Sequence, residues 1–401
     1  MTRIALPLAL CLLPLAAPAE ELTDLSWEEI VEEARGGEVN FFLWGGADNI
    51  NRYVSEYLGG LLAPYDITLN RVGLTDTTEA VNLVLGEKAA GNDEGGAVDL
   101  IWINGENFRT MMEADLAYCG YTGLLPNAQY VDWQSPAVAW DFGLETAGCE
   151  VPWSGAQFAF AYDSARMDEP PRSIEAILDF ARANPGQFTY PAPPDFNGAA
   201  FVRHVFYEVA GGPEPLLGPF DREVFDAVAE ETWALLNDLE PYLWREGRTY
   251  PTSITQLQTL FANGEVALSF EYNPSQFGAG VEAGQFPDTI RSYGLEGGTL
   301  ANTSFTLIPY NAANKAAALV LQNLILSPEA QLEKARPEVW GAAPVLVEER
   351  LPEEMQAAFA ALPSHPSVVP VAELAEHALP ELSADWIAAI EAGWIARVGN
   401  E

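Results

Sequence analysis

The chain has 401 residues, which is long for a single hydrophobic core and sufficient for two domains. Apolar residues make up 49% of it, which excludes a disordered or a fibrous protein. With 58 acidic against 19 basic residues the net charge is −39, and this argues against binding of nucleic acid or anionic lipid through basic patches.

The first 19 residues have the pattern of a cleaved secretory signal. A weakly positive start at Arg3 precedes an almost entirely apolar run at 4–16, and the small residues Ala17 and Ala19 lie just before Glu20. The apolar run of about 13 residues is shorter than the roughly 20 that a bilayer span needs. We therefore expect cleavage after Ala19 and a mature protein that acts in the periplasm.

Cleavage would remove Cys11 and leave Cys119 and Cys149, which are 30 positions apart. Two such cysteines in an oxidising compartment are expected to form a disulfide, and two free buried thiols are the alternative. Neither cysteine belongs to a C-x-x-C pair, so the pattern gives no support to a zinc site or to redox catalysis.

Strand and helix patterns alternate in the first part of the mature chain. Ser26 and Glu29 form a capping box at the start of the first helix. Apolar runs at 39–43, 67–72 and 98–103 predict buried strands, and each is followed by a polar loop and a helical pattern. Three strand-loop-helix units predict an α/β lobe with a parallel sheet.

A second group of strand and helix patterns follows. It begins with a strand-like run at 157–162 and includes a helix at 199–209 and a strand at 266–270. The glycine-rich stretch 278–299 is predicted to be mostly a connection, and helical patterns dominate beyond 346. These elements predict a second lobe.

Five motifs spread over nearly the whole mature chain carry a family resemblance. They are Phe41-Phe42-Leu43-Trp44-Gly45-Gly46, Ala97-Val98-Asp99-Leu100-Ile101-Trp102-Ile103-Asn104-Gly105, Ala159-Phe160-Ala161-Tyr162-Asp163 followed by Pro170-Pro171-Arg172-Ser173, Phe261-Ala262-Asn263-Gly264-Glu265-Val266-Ala267 and Leu326-Ser327-Pro328-Glu329-Ala330-Gln331. In this order they resemble the extracellular solute-binding proteins of ABC importers, family 1. Within that family, residues 44–46 and 104–108 are most similar to the YnjB-type periplasmic components.

The resemblance implies an α/β, two-lobed type II periplasmic-binding-protein fold. In this fold each lobe is a mostly parallel sheet flanked by helices, and crossing strands join the lobes. Residues 1–19 would be the signal peptide, residues 20–153 and 275–345 lobe one, and residues 154–274 and 346–401 lobe two with the C-terminal helices.

The resemblance also implies a function. A periplasmic monomer would capture a small solute in the cleft between the lobes by hinge closure and deliver it to an ABC permease and its ATPase in the inner membrane. No bond is broken in such a cycle, so we expect no catalytic residue, no cofactor and no metal.

Candidate contacts with the solute follow from the rule that ligands of open α/β sheets bind at the carboxyl ends of the strands. The loops predicted there offer glycines for close backbone approach, amides that donate and accept hydrogen bonds, and aromatic faces. Their candidate residues are Trp44, Gly45, Gly46, Asn49, Asn104, Gly105, Glu106, Trp153, Gln157, Asp195, Asn197, Glu271, Tyr272 and Asn273. Structural alternatives are core lids for Trp44 and Trp153, a plain turn at 104–105, and helix caps for Asp195 and Asn197.

If these loops converge, the cleft contains two or three aromatic side chains, the carboxylates Glu106, Asp195 and Glu271, and no obvious Lys or Arg. Such a lining suits an organic cation, for example a thiamine-like or polyamine-like solute. A sugar or another neutral polar solute is the alternative, because sugars also favour Trp with carboxylates and amides.

A secreted hydrolase that uses two carboxylates is a competing class. With 58 acidic residues the spacing of any two is uninformative, and neither a G-x-S-x-G nor an H-E-x-x-H motif is present. The sequence therefore favours a binding protein over an enzyme.

Overall fold

The structure is a computed structural model, and it describes residues 22–399. The predicted signal and its cleavage site lie outside the described residues. None of the described helices combines the length and the apolarity that a membrane-crossing helix needs.

The strands of the described chain belong to two main sheets and one short hairpin. They are β1 Glu38–Trp44, β2 Thr68–Leu74, β3 Leu100–Ile103, β4 Trp140–Asp141, β5 Leu144–Glu145, β6 Glu150–Gln157, β7 Ala159–Asp163, β8 Leu268–Glu271, β9 Ile290–Tyr293, β10 Thr299–Leu307 and β11 Ala378–Leu379.

The α-helices lie between and around these strands in chain order. They are α1 Trp27–Ala34, α2 Asp48–Arg52, α3 Gly59–Leu62, α4 Thr78–Ala89, α5 Gly105–Glu113, α6 Pro136–Ala139, α7 Ile174–Ala183, α8 Phe196–Ala210, α9 Arg222–Leu239, α10 Ile254–Ala262, α11 Ser275–Glu282, α12 Lys315–Ile325, α13 Pro328–Ala335, α14 Glu353–Ala360, α15 Val371–Ala375 and α16 Ala384–Arg397. The capping box predicted at Ser26 and Glu29 is confirmed at the start of α1.

The first sheet has the strand order β11-β10-β3-β1-β2, and β6 pairs with β10. Strand β1 is parallel to both β2 and β3, as the strand-loop-helix pattern predicts, whereas β10 is antiparallel to β3 and β6. Because β1, β2 and β3 run the same way, the loops that follow them lie at one edge of the sheet.

The second sheet differs from the predicted mostly parallel arrangement. Its central strand β7 is antiparallel to both β8 and β9. Apolar runs identify buried strands but carry no direction, and here the direction depends on the path of the long connections between them. The stretch 278–299 is also more than a connection, because it holds the end of α11 and the whole of β9.

Two adjacent strands carry the chain between the sheets. Strand β6 belongs to the first sheet and β7, one residue later, to the second. Strand β10 returns beside β6 in antiparallel register, with Ala301 opposite Gln157 and Leu307 opposite Glu150. The predicted two-lobed α/β fold with crossing strands is thus confirmed.

Each sheet has its own hydrophobic core. One core lies around β1 and β3 with α12, and the other around β7 and β8 with α8, α9, α11 and α16. Cys119 and Cys149 are joined by a disulfide beside the first sheet, as predicted. The exact boundaries between the lobes stay a prediction.

Candidate functional site

A cavity of about 240 Å³ lies between the two cores, on one side of the crossing strands. The end of β1, the loops after β2 and β3, the crossing strands, the start of α8 and the end of β8 all contribute to it. Seven of the predicted residues line this cavity: Trp44, Asn104, Asp195, Asn197, Glu271, Tyr272 and Asn273. Their role as solute contacts stays a prediction.

Trp44 is the aromatic residue that contacts both hydrophobic cores. It is the last residue of β1, and its indole ring lies against Gly46. A β-carbon at Gly46 would lie 2.2 Å from Cζ2 of Trp44, so only glycine leaves room for the ring. Gly46 does not line the cavity itself; it allows Trp44 to do so.

Two further tryptophans, Trp102 and Trp340, line the same wall with ring centroids 5.5 Å apart. Trp153 lies behind them and is fully buried, 5.3 Å from Trp340 and 5.9 Å from Trp102. The structure therefore places Trp153 in the core beneath the aromatic wall, whereas Ser154 and the following residue Gly155 reach the cavity.

The opposite wall begins at the N-terminus of α8. Asp195 caps this helix by accepting a hydrogen bond from Gly198 N at 2.9 Å, and its second oxygen accepts one from Ile254 N at 3.2 Å. A β-carbon at Gly198 would lie 2.0 Å from Pro191 O, so glycine is required for this close approach. The cap fixes the adjacent Phe196, which is 39% exposed, at the cavity.

Glu271 and Tyr272 continue this wall at the end of β8. Glu271 accepts hydrogen bonds from Gln258 Nε2 at 3.0 Å and from Tyr272 N at 2.9 Å. Burial, reinforced by the charge of Asp195, raises the pKa of Glu271 from 4.5 to about 7, although backbone hydrogen bonds partly oppose the rise. Burial also raises the pKa of Asp195.

Asn273 and Gln276 add amide donors to the same region. Atoms Nδ2 of Asn273 and Nε2 of Gln276 are buried and have no hydrogen-bond partner within the described part of the chain. Both residues line the cavity. Because buried donors are normally paired, a solute with hydrogen-bond acceptors would satisfy them.

The charge of the cavity is negative. Asp76, Asp195 and Glu271 line it, and no Lys, Arg or His is among its described lining residues. Asp76, which the sequence reasoning missed, is exposed in the loop after β2, and its Oδ1 accepts a hydrogen bond from Thr78 N at 2.8 Å. The arrangement can bind a positively charged group between aromatic faces and carboxylates.

The remaining candidates lie outside the cavity lining. Gly45 donates to Leu74 O at 2.9 Å, and Gly105 donates to Asp141 Oδ2 at 2.7 Å. Gln157 points to the far side of the crossing strands, where it donates to Leu374 O at 2.6 Å. Asn49 lies in α2, and Glu106 lies in α5, where burial raises its pKa.

Lys334 is fully buried behind the aromatic wall. Its Nζ donates to Trp153 O and lies 5.5 Å from the ring centre of Trp340. Burial lowers the pKa of Lys334 well below its ordinary value of 10.5. Burial behind the wall therefore disfavours the charged form of this amine.

The pH dependence of stability tests this assignment. Between the lowered folded pKa and 10.5, the unfolded chain binds a proton that the folded chain does not, so Lys334 makes stability rise with pH by up to about 1.4 kcal/mol per unit. In urea denaturation at pH 7 and pH 9, Lys334→Met is expected to remove this rise. Equal pH dependence of the two proteins would show that Lys334 stays charged when folded.

Two α/β cores, joined by crossing strands and facing each other across a cavity that both line, define a two-lobed solute-binding protein. A family model described as bacterial extracellular solute-binding protein matches residues 61–363. The chain therefore belongs to the bacterial extracellular solute-binding proteins.

Known proteins similar to this chain are consistent with that family. Protein YnjB of Escherichia coli K12 is 40% identical over 375 residues, which are 93% of this chain and 94% of YnjB. The spermidine/putrescine substrate-binding protein PotD of Streptococcus pneumoniae superimposes with a TM-score of 0.61 at 14% identity, covering 90% of this chain and 98% of PotD. A periplasmic thiamin binding protein superimposes with a TM-score of 0.58 at 17% identity, covering 90% of this chain and 96% of that protein.

Proposed function

We propose that the protein is a periplasmic receptor whose solute is an organic cation, and that the cation binds in the cavity between the lobes. The proposal includes cleavage of the signal after Ala19, action as a monomer and delivery to a permease that is powered by an ATPase. Hinge closure around the solute would convert binding into a signal for the permease, because the solute contacts both lobes in the closed form.

The lining of the cavity is the observation that carries the proposal. Aromatic rings stand on both walls, with Trp44 on one and Tyr272 on the other, and three carboxylates accompany them without a cation among the described lining residues. A bound cation would pair with these carboxylates and stabilise their charged form. The aromatic faces would attract the same cation further. The names of PotD and of the thiamin binding protein indicate that this fold can accommodate organic cations.

A thermal-shift screen of the mature chain from Glu20 tests the ligand class. A solute that binds only the folded state raises the melting temperature according to RT ln(1 + [L]/Kd), about 2.7 kcal/mol at 100 times Kd. We expect a saturable shift with thiamine, spermidine or a quaternary amine. A shift with sugars alone would mean that the solute is neutral and not a cation. Mass spectrometry of the denatured protein would reveal a solute that was already bound.

Trp44→Ala is expected to weaken solute binding by roughly 5- to 30-fold, because one good cation–aromatic contact contributes about 1–2 kcal/mol. The protein should remain folded, since Trp44 is only partly buried. The measurement is the dissociation constant by calorimetry, together with the melting temperature without solute. Trp140→Ala is the matched control: Trp140 is 52% exposed on β4, away from the cavity, and its removal should leave the affinity unchanged.

A further inference from the structure

A buried ion pair lies directly behind the Tyr272 wall. Arg203 of α8 is 1% exposed, and its Nε lies 3.2 Å from Oε2 of Glu381, whose side chain is 4% exposed. Arg203 Nη2 also donates to the Tyr272 hydroxyl at 3.0 Å. The pair therefore touches a residue that lines the cavity.

The second oxygen of Glu381 binds the cavity wall itself. Its Oε1 accepts hydrogen bonds from the Tyr272 hydroxyl and from Asn302 Nδ2, the latter at 3.1 Å. Tyr272 lies in the cavity wall just after β8, and Asn302 lies in the crossing strand β10. One carboxylate thus orients two lining side chains and pairs with one guanidinium.

Arg203 lies close enough to the cavity for its positive charge to affect a bound cation. The guanidinium carbon lies 5.9 Å from the ring centre of Phe196, another lining residue. Burial raises the pKa values of Glu106 and Glu391, and the nearby charge of Arg203 opposes that rise only in part. A buried charge is poorly screened, so an uncompensated guanidinium here would oppose a cation in the cavity.

We propose that Glu381 determines the charge specificity of the receptor: it cancels the positive charge of Arg203 behind the wall, so that the cavity accepts a cation. This inference rests on the proposed function. Glu381 lies in the segment between β11 and α16, far in sequence from every loop that lines the cavity. The adjacent Pro380 O accepts the Tyr207 hydroxyl at 2.8 Å, which ties this segment to α8.

Glu381→Gln tests the inference, because it keeps the shape and removes one charge. Calorimetric titration of the mature chain with choline, spermidine and thiamine is expected to show at least tenfold weaker binding than wild type for the cation that wild type binds. A neutral analogue of the same shape, 3,3-dimethylbutanol for choline, should change less than threefold. Glu230→Gln is the control, because it breaks an exposed ion pair with Arg397 in the same lobe and should change neither affinity.

The double variant Arg203→Met/Glu381→Gln separates charge from shape, and it also serves if Glu381→Gln alone does not fold, because it buries no unpaired charge. Removal of both charges should bring cation affinity back to within about fivefold of wild type. If the double variant stays ten or more times weaker, or if Glu381→Gln binds the cation normally, the inference is overturned while the proposed function stands. If wild type binds none of the three cations, both are overturned.

Discussion

Replacing Trp153 by alanine is expected to reduce the free energy of unfolding by about 3–5 kcal/mol, the cost of removing a large aromatic side chain from a packed core. Trp153 is fully buried, and its ring lies 5.8 Å from Phe41 and 5.3 Å from Trp340. The Lys334 amine, 5.2 Å from the ring centre, would border the cavity that the substitution creates.

Denaturant unfolding of wild type and variant measures this effect. The exposed Trp140 again provides a matched control, and Trp140→Ala should change stability by less than about 0.5 kcal/mol. A change below 1 kcal/mol for Trp153→Ala, combined with loss of solute binding, would instead make Trp153 a solute contact.

The contrast between Trp44 and Trp153 shows what a sequence pattern can and cannot determine. Both tryptophans were candidates because each stands near the end of a predicted strand or crossing segment. Successive side chains of a strand point to opposite faces of the sheet. Two neighbouring residues of one strand can therefore face the core and the cavity, respectively. In β6 this alternation puts Trp153 in the core and Ser154 at the cavity, and the apolar pattern alone does not define that register.

The loops at the carboxyl ends of strands were predictable to the extent that the strands were. The runs at 39–43 and 98–103 predicted β1 and β3, and Trp44 and Asn104 follow from the strand-end rule. Asp76 could have been found in the same way, since it comes two residues after β2. The apolar run there ends at 72, two residues before β2 does. Asp76 fits the start of the helical pattern that follows, so the sequence does not mark it as a cavity residue.

Two other lining residues carry little or no signal in the sequence: Trp340 could either line the cleft or turn the chain, and Asn302 is not marked at all. Trp340 comes after α13 and reaches the cavity because the chain returns to the first core there, and Asn302 lies inside a crossing strand. Glu381 contacts the wall from about 110 positions downstream of Tyr272, a separation for which periodicity and turn chemistry give no information. Such placements depend on tertiary packing rather than on local sequence.

Protonation of Glu271 gives the second large effect, on both stability and affinity. Its pKa is raised from 4.5 to about 7. Between these two pH values the folded state therefore holds a proton that the unfolded state has lost. The stabilisation by this group is complete below pH 4.5 and is lost as the pH rises through 7, a change of about 3 kcal/mol. Glu271→Gln should therefore flatten the fall in stability of the empty protein between about pH 5 and pH 8.

Affinity for a cation should change in the opposite direction, because the ionised carboxylate is the form that attracts a positive charge. Below its pKa, Glu271 must release a proton when the cation binds, so affinity is expected to rise with pH by up to tenfold per unit and to level off above about pH 7. Calorimetry of the strongest cation from the screen, at pH 5.5, 6.5 and 7.5, measures this slope. Glu271→Gln should abolish it, whereas Glu282→Gln, an exposed carboxylate on α11, should preserve it. If the wild-type slope is flat, or if Glu271→Gln leaves it unchanged, Glu271 is not the group whose ionisation accompanies cation binding.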